Sequence, residues 1–335
     1  MNGRIGVVAV AVSLCLATAA LGTWGETHNV QGMTPDNTVN EVQRAARQAI
    51  NEAIDFWQEH STIHAAPAAP AAVPAGNLWF RNPTPFVEYG FADSRDRRVN
   101  GQESRINNGT VGLTFQTIGD VTAGFIYDYA NTEGHDEGIA SGADANTVTF
   151  FFAKNWSILY AGTSISFGEV RSHMEQATVA FLPFPPYIRG GMHVRSATDI
   201  DTFAVAPYIG VAGYQKGPLS MFSTLTCIFR HADLDFSGNV RSDETNDSTL
   251  VLMNRVSYNV TERFNVTGIF DWNQVLAQQQ VRGPNVEIDH AWLTMGLKVR
   301  YKVAQKVDVY TGYTADVGNQ SFENHRVNLG VSIGF

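Results

Sequence analysis

The sequence predicts an all-β fold: a twelve-stranded antiparallel transmembrane up-and-down β-barrel, preceded by one N-terminal amphipathic helix. Three observations predict it. Apolar and polar residues alternate along most of 77–335, as they do when successive side chains of a strand point to opposite faces. The connections between these alternating segments are short and long in turn. The chain also opens on what reads as an export signal.

That opening is Met1-Asn-Gly-Arg4, then an apolar run over 5–22, then polar Thr23-Trp-Gly-Glu26. One basic residue, an apolar stretch and small residues at Ala17-Thr18-Ala19 or Ala20-Leu21-Gly22 make a secretory signal peptide over 1–22. Cys15 lies within it, so the exported chain keeps Cys227 alone and forms no internal disulfide.

Residues 23–64 form a polar segment containing a helix over 37–60. Val39, Val42, Ala46, Ala49, Ala53 and Phe56 recur at spacings of three and four, and Thr38-x-x-Glu41 is a capping box. The Ala/Pro stretch 65–76 is a linker, which at ~3.1 Å per residue spans roughly 37 Å when extended.

The domain 77–335 carries twelve segments of period two, near 84–93, 107–118, 120–131, 145–154, 156–167, 199–214, 218–233, 248–259, 263–275, 288–302, 306–317 and 325–335. Short turns fall at 118–120, 154–156, 215–218, 259–263 and 302–306, and long polar loops at 132–144, 168–198, 234–247 and 276–287. All the tight turns therefore lie at one end, as in outer-membrane barrels. A soluble sandwich also alternates. Strands of ten or more residues, an export signal and lopsided connections favour the membrane, since ~9–11 tilted residues cross a bilayer and a closed sheet leaves no edge.

The last eleven residues place Val327, Leu329, Val331, Ile333 and Phe335 on one face, with the chain ending on the aromatic ring. In this the sequence resembles bacterial outer-membrane proteins, whose alternating last strand ending in Phe is the signal for the assembly machinery. Val331, Ile333 and Phe335 take that role by resemblance. A helix followed by twelve strands resembles the translocator (β) domain of autotransporters, whose helix threads the lumen. About fourteen residues separate signal and helix, so no passenger is expected.

The wet face carries Glu88, Asp128, Arg230, Arg255, Asp271, Lys298, Arg300, Asp308, Asp316 and Arg326. In a barrel these line the lumen, where they neutralise one another or set ion preference. The helix brings Arg44, Arg47 and Glu52, with Glu41 and Asp55 nearby. These suit a plug pairing with Asp308, Asp316, Lys298 and Arg300; a periplasmic helix is the other placement. Pro-rich 180–187 is expected to fold inward or cap the rim.

No catalytic, cofactor or metal site is expected. His231 near Asp233 and His290 beside Asp289 sit in no catalytic motif, and His135, His173, His193 and His325 lack ligand spacing. The acidic sets Glu133/Asp136/Glu137/Asp144 and Asp233/Asp235/Asp243/Glu244/Asp247 read as solvated loops. A net charge of −9 without a basic stripe argues against nucleic acid. The reading is a passive channel or structural pore of the bacterial outer membrane, plugged by its N-terminal helix. The alternatives are an autotransporter-type translocator or a membrane tether through a periplasmic helix. Its partners are outer-membrane lipids, the barrel assembly machinery and small solutes or ions.

Overall fold

Twelve strands run antiparallel, each beside its sequence neighbour, and the first pairs with the last to close the sheet. This is a computed structural model, and it describes residues 44–55, 81–96, 102–117, 121–136, 139–156, 158–181, 189–236, 243–278, 291–318 and 322–334. The expected signal peptide, the ends of the expected 37–60 helix, the 65–76 linker, His290 and Phe335 lie outside the described residues.

The strands are β1 (Arg81–Asp96), β2 (Gln102–Thr117), β3 (Val121–Asp136), β4 (Ile139–Trp156), β5 (Leu159–Phe181), β6 (Arg189–Lys216), β7 (Leu219–Phe236), β8 (Asp243–Asn259), β9 (Phe264–Gln278), β10 (Ala291–Ala304), β11 (Val307–Val317) and β12 (Phe322–Ile333). Closure runs from Phe86↔Ser332 to Asp96↔Phe322. The chain therefore stays inside the sheet to Ile333, because the last strand is held on both edges by β1 and β11.

Alternation has a physical cause on each side. On β1 and β12, Val87, Tyr89, Phe91, Val327, Leu329 and Val331 point outward, and Leu329 is 57% exposed while inward Glu88 is 6% exposed. An apolar belt running right round the outer surface far exceeds what a water-facing protein presents. Tyr and Trp edge the belt. Tyr89, Tyr127 and Tyr129 donate from their phenols to Asn107 (2.9 Å), Asn146 (2.7 Å) and Asp144 (2.7 Å) at the long-connection end. Trp156, Tyr214, Tyr258 and Tyr301 are exposed near the tight turns. Rings with an apolar body and a polar tip settle at membrane–water boundaries.

The strands overrun their predicted bounds at one end. Of 168–198, expected as a long loop, all but 182–188 lies in β5 and β6, and Ala180 and Phe181 pair with Gly190 and Arg189. Of 132–144, all but 137–138 lies in β3 and β4; 234–247 is strand outside 237–242. Beyond the bilayer a strand's outward face meets water, so Glu169, Arg171 and His173 can occupy it while the ladder continues. Those polar residues read as loop in the sequence.

The acidic sets follow the same correction. Asp144 sits in β4 and accepts from Tyr129 and Asn131 (3.0 Å), and Asp247 in β8 pairs with Arg230. Cys227 pairs with Leu250 across β7 and β8 and is fully buried.

Candidate functional site

Among the described residues one helix, α1 (44–55), lies inside the barrel. Its sequence suits that place. Ala45, Ala46, Ala49, Ile50, Ala53 and Ile54 are at most 3% exposed, and alanine gives a slim helix of high propensity. Ala46, Ile50 and Ile54 pack on a wall of inward apolar side chains from β4 to β8, including Tyr160, Tyr208, Phe222, Ile228 and Met253. Ala49 and Ala53 meet Phe86, Ile126 and Phe151. Close packing on both flanks stabilises α1 chiefly by apolar burial, at about 25 cal/mol per Å² removed from water. The Ala stripe was legible in the sequence; Ile50, Ile54 and the apolar half of the lumen were not.

The polar stripe of α1 is Arg44, Arg47, Gln48, Asn51, Glu52 and Asp55, again at spacings of three and four. Its first member, Arg44, donates to the Asp128 carboxylate and to Gln48 Oε1 (2.9 Å). Thr110 also donates to Asp128, so the acid holds one cation and one hydroxyl. In the middle, Arg255 Nη2 reaches Asn51 Oδ1 (3.0 Å), while the same guanidinium grips Asp271. At the far end one oxygen of Asp55, Oδ2, accepts from both Lys298 Nζ and Arg300 Nη2, each at 2.7 Å. Charge-assisted bonds of this kind are the stronger class. They fix α1 at both ends.

All ten wet-face charges lie on inward positions, as burial and strand parity show. They divide by partner. Asp128, Arg255, Lys298 and Arg300 touch α1. Arg230–Asp247 is a barrel pair, with side chains 8% and 5% exposed. Asp316 accepts from Thr294 (2.6 Å) and Asn324 (3.5 Å), and Arg326 donates to Asn108 (3.4 Å). Asp308 lies opposite Lys302 across β10 and β11. Arg47 lies among Asp271, Asp316 and Arg255, and Glu52 among Lys298, Arg300, Asp55 and Glu88. Of the expected plug partners, Lys298 and Arg300 take Asp55 and Asp316 faces Arg47, while Arg44 pairs with Asp128 and Asp308 lies across from Lys302. Which inward acid meets which helix turn depends on barrel register, and the sequence does not display it.

Tyr310 and Asn51 were also missed. The Tyr310 ring lies 4.3 Å from Lys298 Nζ and 5.9 Å from the Arg300 guanidinium carbon. Opposite it stands Gly330, where a methyl group would overlap the ring. Aromatic faces attract such cations. An inward Gly facing an inward Tyr was the available signal for the first residue. Asn51, at the spacing of Gln48 and Asp55, was the signal for the second.

The closed twelve-stranded antiparallel barrel is a fold the chain shares with autotransporter translocator domains of known structure. The chain is similar to the translocator domain of autotransporter NalP from Neisseria meningitidis, with a TM-score of 0.63 and 12% identity over 75% of this chain and 88% of that one. It is also similar to the beta domain of the Bordetella autotransporter Brka, with a TM-score of 0.56 and 12% identity over 76% of this chain and 99% of that one. At such identity the likeness is one of fold. No family model matches the sequence, and no curated protein matches it.

Proposed function

We propose that this protein is a channel of the bacterial outer membrane whose lumen is closed by its own N-terminal helix. The observation that carries this reading is the fixing of α1 inside the barrel, by Asp128 at one end and by Lys298 with Arg300 at the other. Its transport is passive and involves no catalysis; small solutes or ions pass when the helix yields. The test is single-channel conductance of the full chain beside one lacking 37–60. The tether reading needs α1 in the periplasm, and the lumen contacts speak against it.

A second reading, a translocator, draws on the likeness of fold to NalP and Brka. It is tested by fusing a small reporter ahead of residue 37 and asking whether it reaches the cell surface. Surface display would favour translocation over a solute channel.

Assembly follows from the same localisation. Terminal Phe335 and the outward Val331 and Ile333 are proposed as the signal read by the assembly machinery. Deleting Phe335, or Phe335→Asp, is expected to lower the amount of heat-modifiable barrel recovered from outer membranes several-fold. Undiminished recovery would remove that role.

Orientation gives another expected result. With the tight turns in the periplasm, an epitope between β7 and β8 is labelled on intact cells. An epitope in the β10–β11 turn, at Gln305–Lys306, is labelled only after the cells are opened. The reverse pattern would invert the barrel.

A further inference from the structure

We propose that Lys298 and Arg300 form a binding site for a small oxyanion, a carboxylate or phosphate, which Asp55 of α1 fills as an internal substitute. The inference rests on the helix lying in the lumen and does not depend on what the pore conducts.

The site is built, rather than being a chance pair of charges. Lys298 and Arg300 are two apart on β10 and share its inward face, so both reach the same point in the lumen. Tyr310 on the neighbouring strand lies against both cations, and Gly330 leaves room for its ring. Thr84, Thr114, Tyr310 and Ser332 line the adjoining cavity together with Glu52, Asp55 and Arg300, the Thr84 hydroxyl donating to the Asn82 backbone carbonyl. Two convergent cations are a common means of holding an oxyanion. At present that oxyanion is Asp55 Oδ2, 2.7 Å from each cation.

Access and charge support exchange with a free anion. The side chains of Lys298, Arg300 and Asp55 are 20%, 20% and 24% exposed, so solvent reaches the site with the helix in place. Lys302 continues the same face of β10 toward the tight-turn end. The nearby carboxylates are Glu52, Asp55 and Glu88, and besides Lys298 and Arg300 the cations Arg255, Arg44 and Arg326 act on them. Removing Asp55 takes one negative charge from this set, so an incoming anion meets a more positive site. Asp128, Asn51 and the apolar flanks still hold α1 when Asp55 is lost. A free anion would therefore take the place of the missing carboxylate, and in the native chain it would compete for the lower anchor of the helix.

The experiment uses the full chain with Asp55→Ala, folded in detergent, and titrates inorganic phosphate and, separately, acetate. Phosphate is expected to bind the variant at least tenfold more tightly than the unaltered chain. It should also raise the variant's Tm while leaving the parent's unmoved. Acetate doing the same marks a general oxyanion site; phosphate alone marks preference for the higher charge. Adding Lys298→Met and Arg300→Met to Asp55→Ala should abolish binding. Should that triple variant fail to fold, Asp55→Ala with Lys298→Gln alone should weaken binding at least threefold. Binding no tighter than in the parent, or binding indifferent to Lys298 and Arg300, overturns the proposal. Conductance of the chain lacking 37–60 reports on the plug, so the two ideas fail separately.

Discussion

Deleting residues 37–60 is expected to raise single-channel conductance several-fold. Twelve strands ~4.8 Å apart and tilted ~40° make a backbone cylinder roughly 24 Å across, which inward side chains narrow to roughly 12 Å. A helix with its side chains is ~10–12 Å wide, so α1 leaves little open section beside it. The buried Ala and Ile positions on α1 and the cavity walls around them agree with that estimate. Reversing the first anchor should open the pore partway: Arg44→Glu sets a carboxylate against Asp128, while Lys298 and Arg300 still grip Asp55. Ala49→Cys supplies a check that does not involve current. Ala49 is 0% exposed, so a thiol there should resist labelling in the folded barrel. Unchanged conductance on deletion, with ready labelling at 49 from the periplasm, would place the helix outside the lumen and end the plug reading.

Asp271→Leu is expected to destabilise the barrel by about 3–5 kcal/mol, the usual cost of removing one partner from a buried ion pair. Arg255 and Asp271 are 7% and 5% exposed and joined at both guanidinium nitrogens, with Nη2–Oδ2 at 3.1 Å. The substitution strands the Arg255 cation in the lumen wall. It also frees the group that holds Asn51, so α1 loosens at its middle. Arg255→Met together with Asp271→Leu should recover most of the loss, because the Arg255 cation is then gone and Arg47 keeps Asp316 as its counter-charge. Urea unfolding in lipid vesicles measures both variants. A single substitution that costs under 1 kcal/mol would mean that water reaches Arg255 freely.

What was legible in the sequence followed the lipid. Val327, Leu329, Val331 and Ile333 must all be apolar because hydrocarbon faces them, and that demand imprints a period of two on every strand. Strand number, antiparallel order and closure were readable for this reason. Beyond the membrane the demand vanishes. Glu169, Arg171 and His173 on β5 then look like loop although their ladder with β4 and β6 is unbroken. Inside the lumen the rule differs again. Ile228 and Met253 are apolar there because α1 packs on them, not because lipid does, and only the placed helix makes sense of them. The ten inward charges could be drawn from alternation alone. Their partners could not: Asp128 meets Arg44 across 84 residues of chain, through strand register and helix depth that no local pattern records.

The unequal strands give the outer mouth a direction. β5 and β6 run for 23 and 28 residues, against 14, 11 and 12 for β10, β11 and β12. On β6 the outward face turns from Phe203 to Asp201, and the strand continues to Arg189. The thirteen residues from Asp201 back to Arg189 rise roughly 30–35 Å above the apolar belt at ~3.3 Å each with the usual tilt. The strand wall is thus a half-collar, tall along β5–β6 and low along β10–β12. In the orientation proposed, with the tight turns in the periplasm, the tall side of the wall faces away from the cell. Among the described residues the strand wall is lowest along β10–β12, the sector that also carries Lys298 and Arg300.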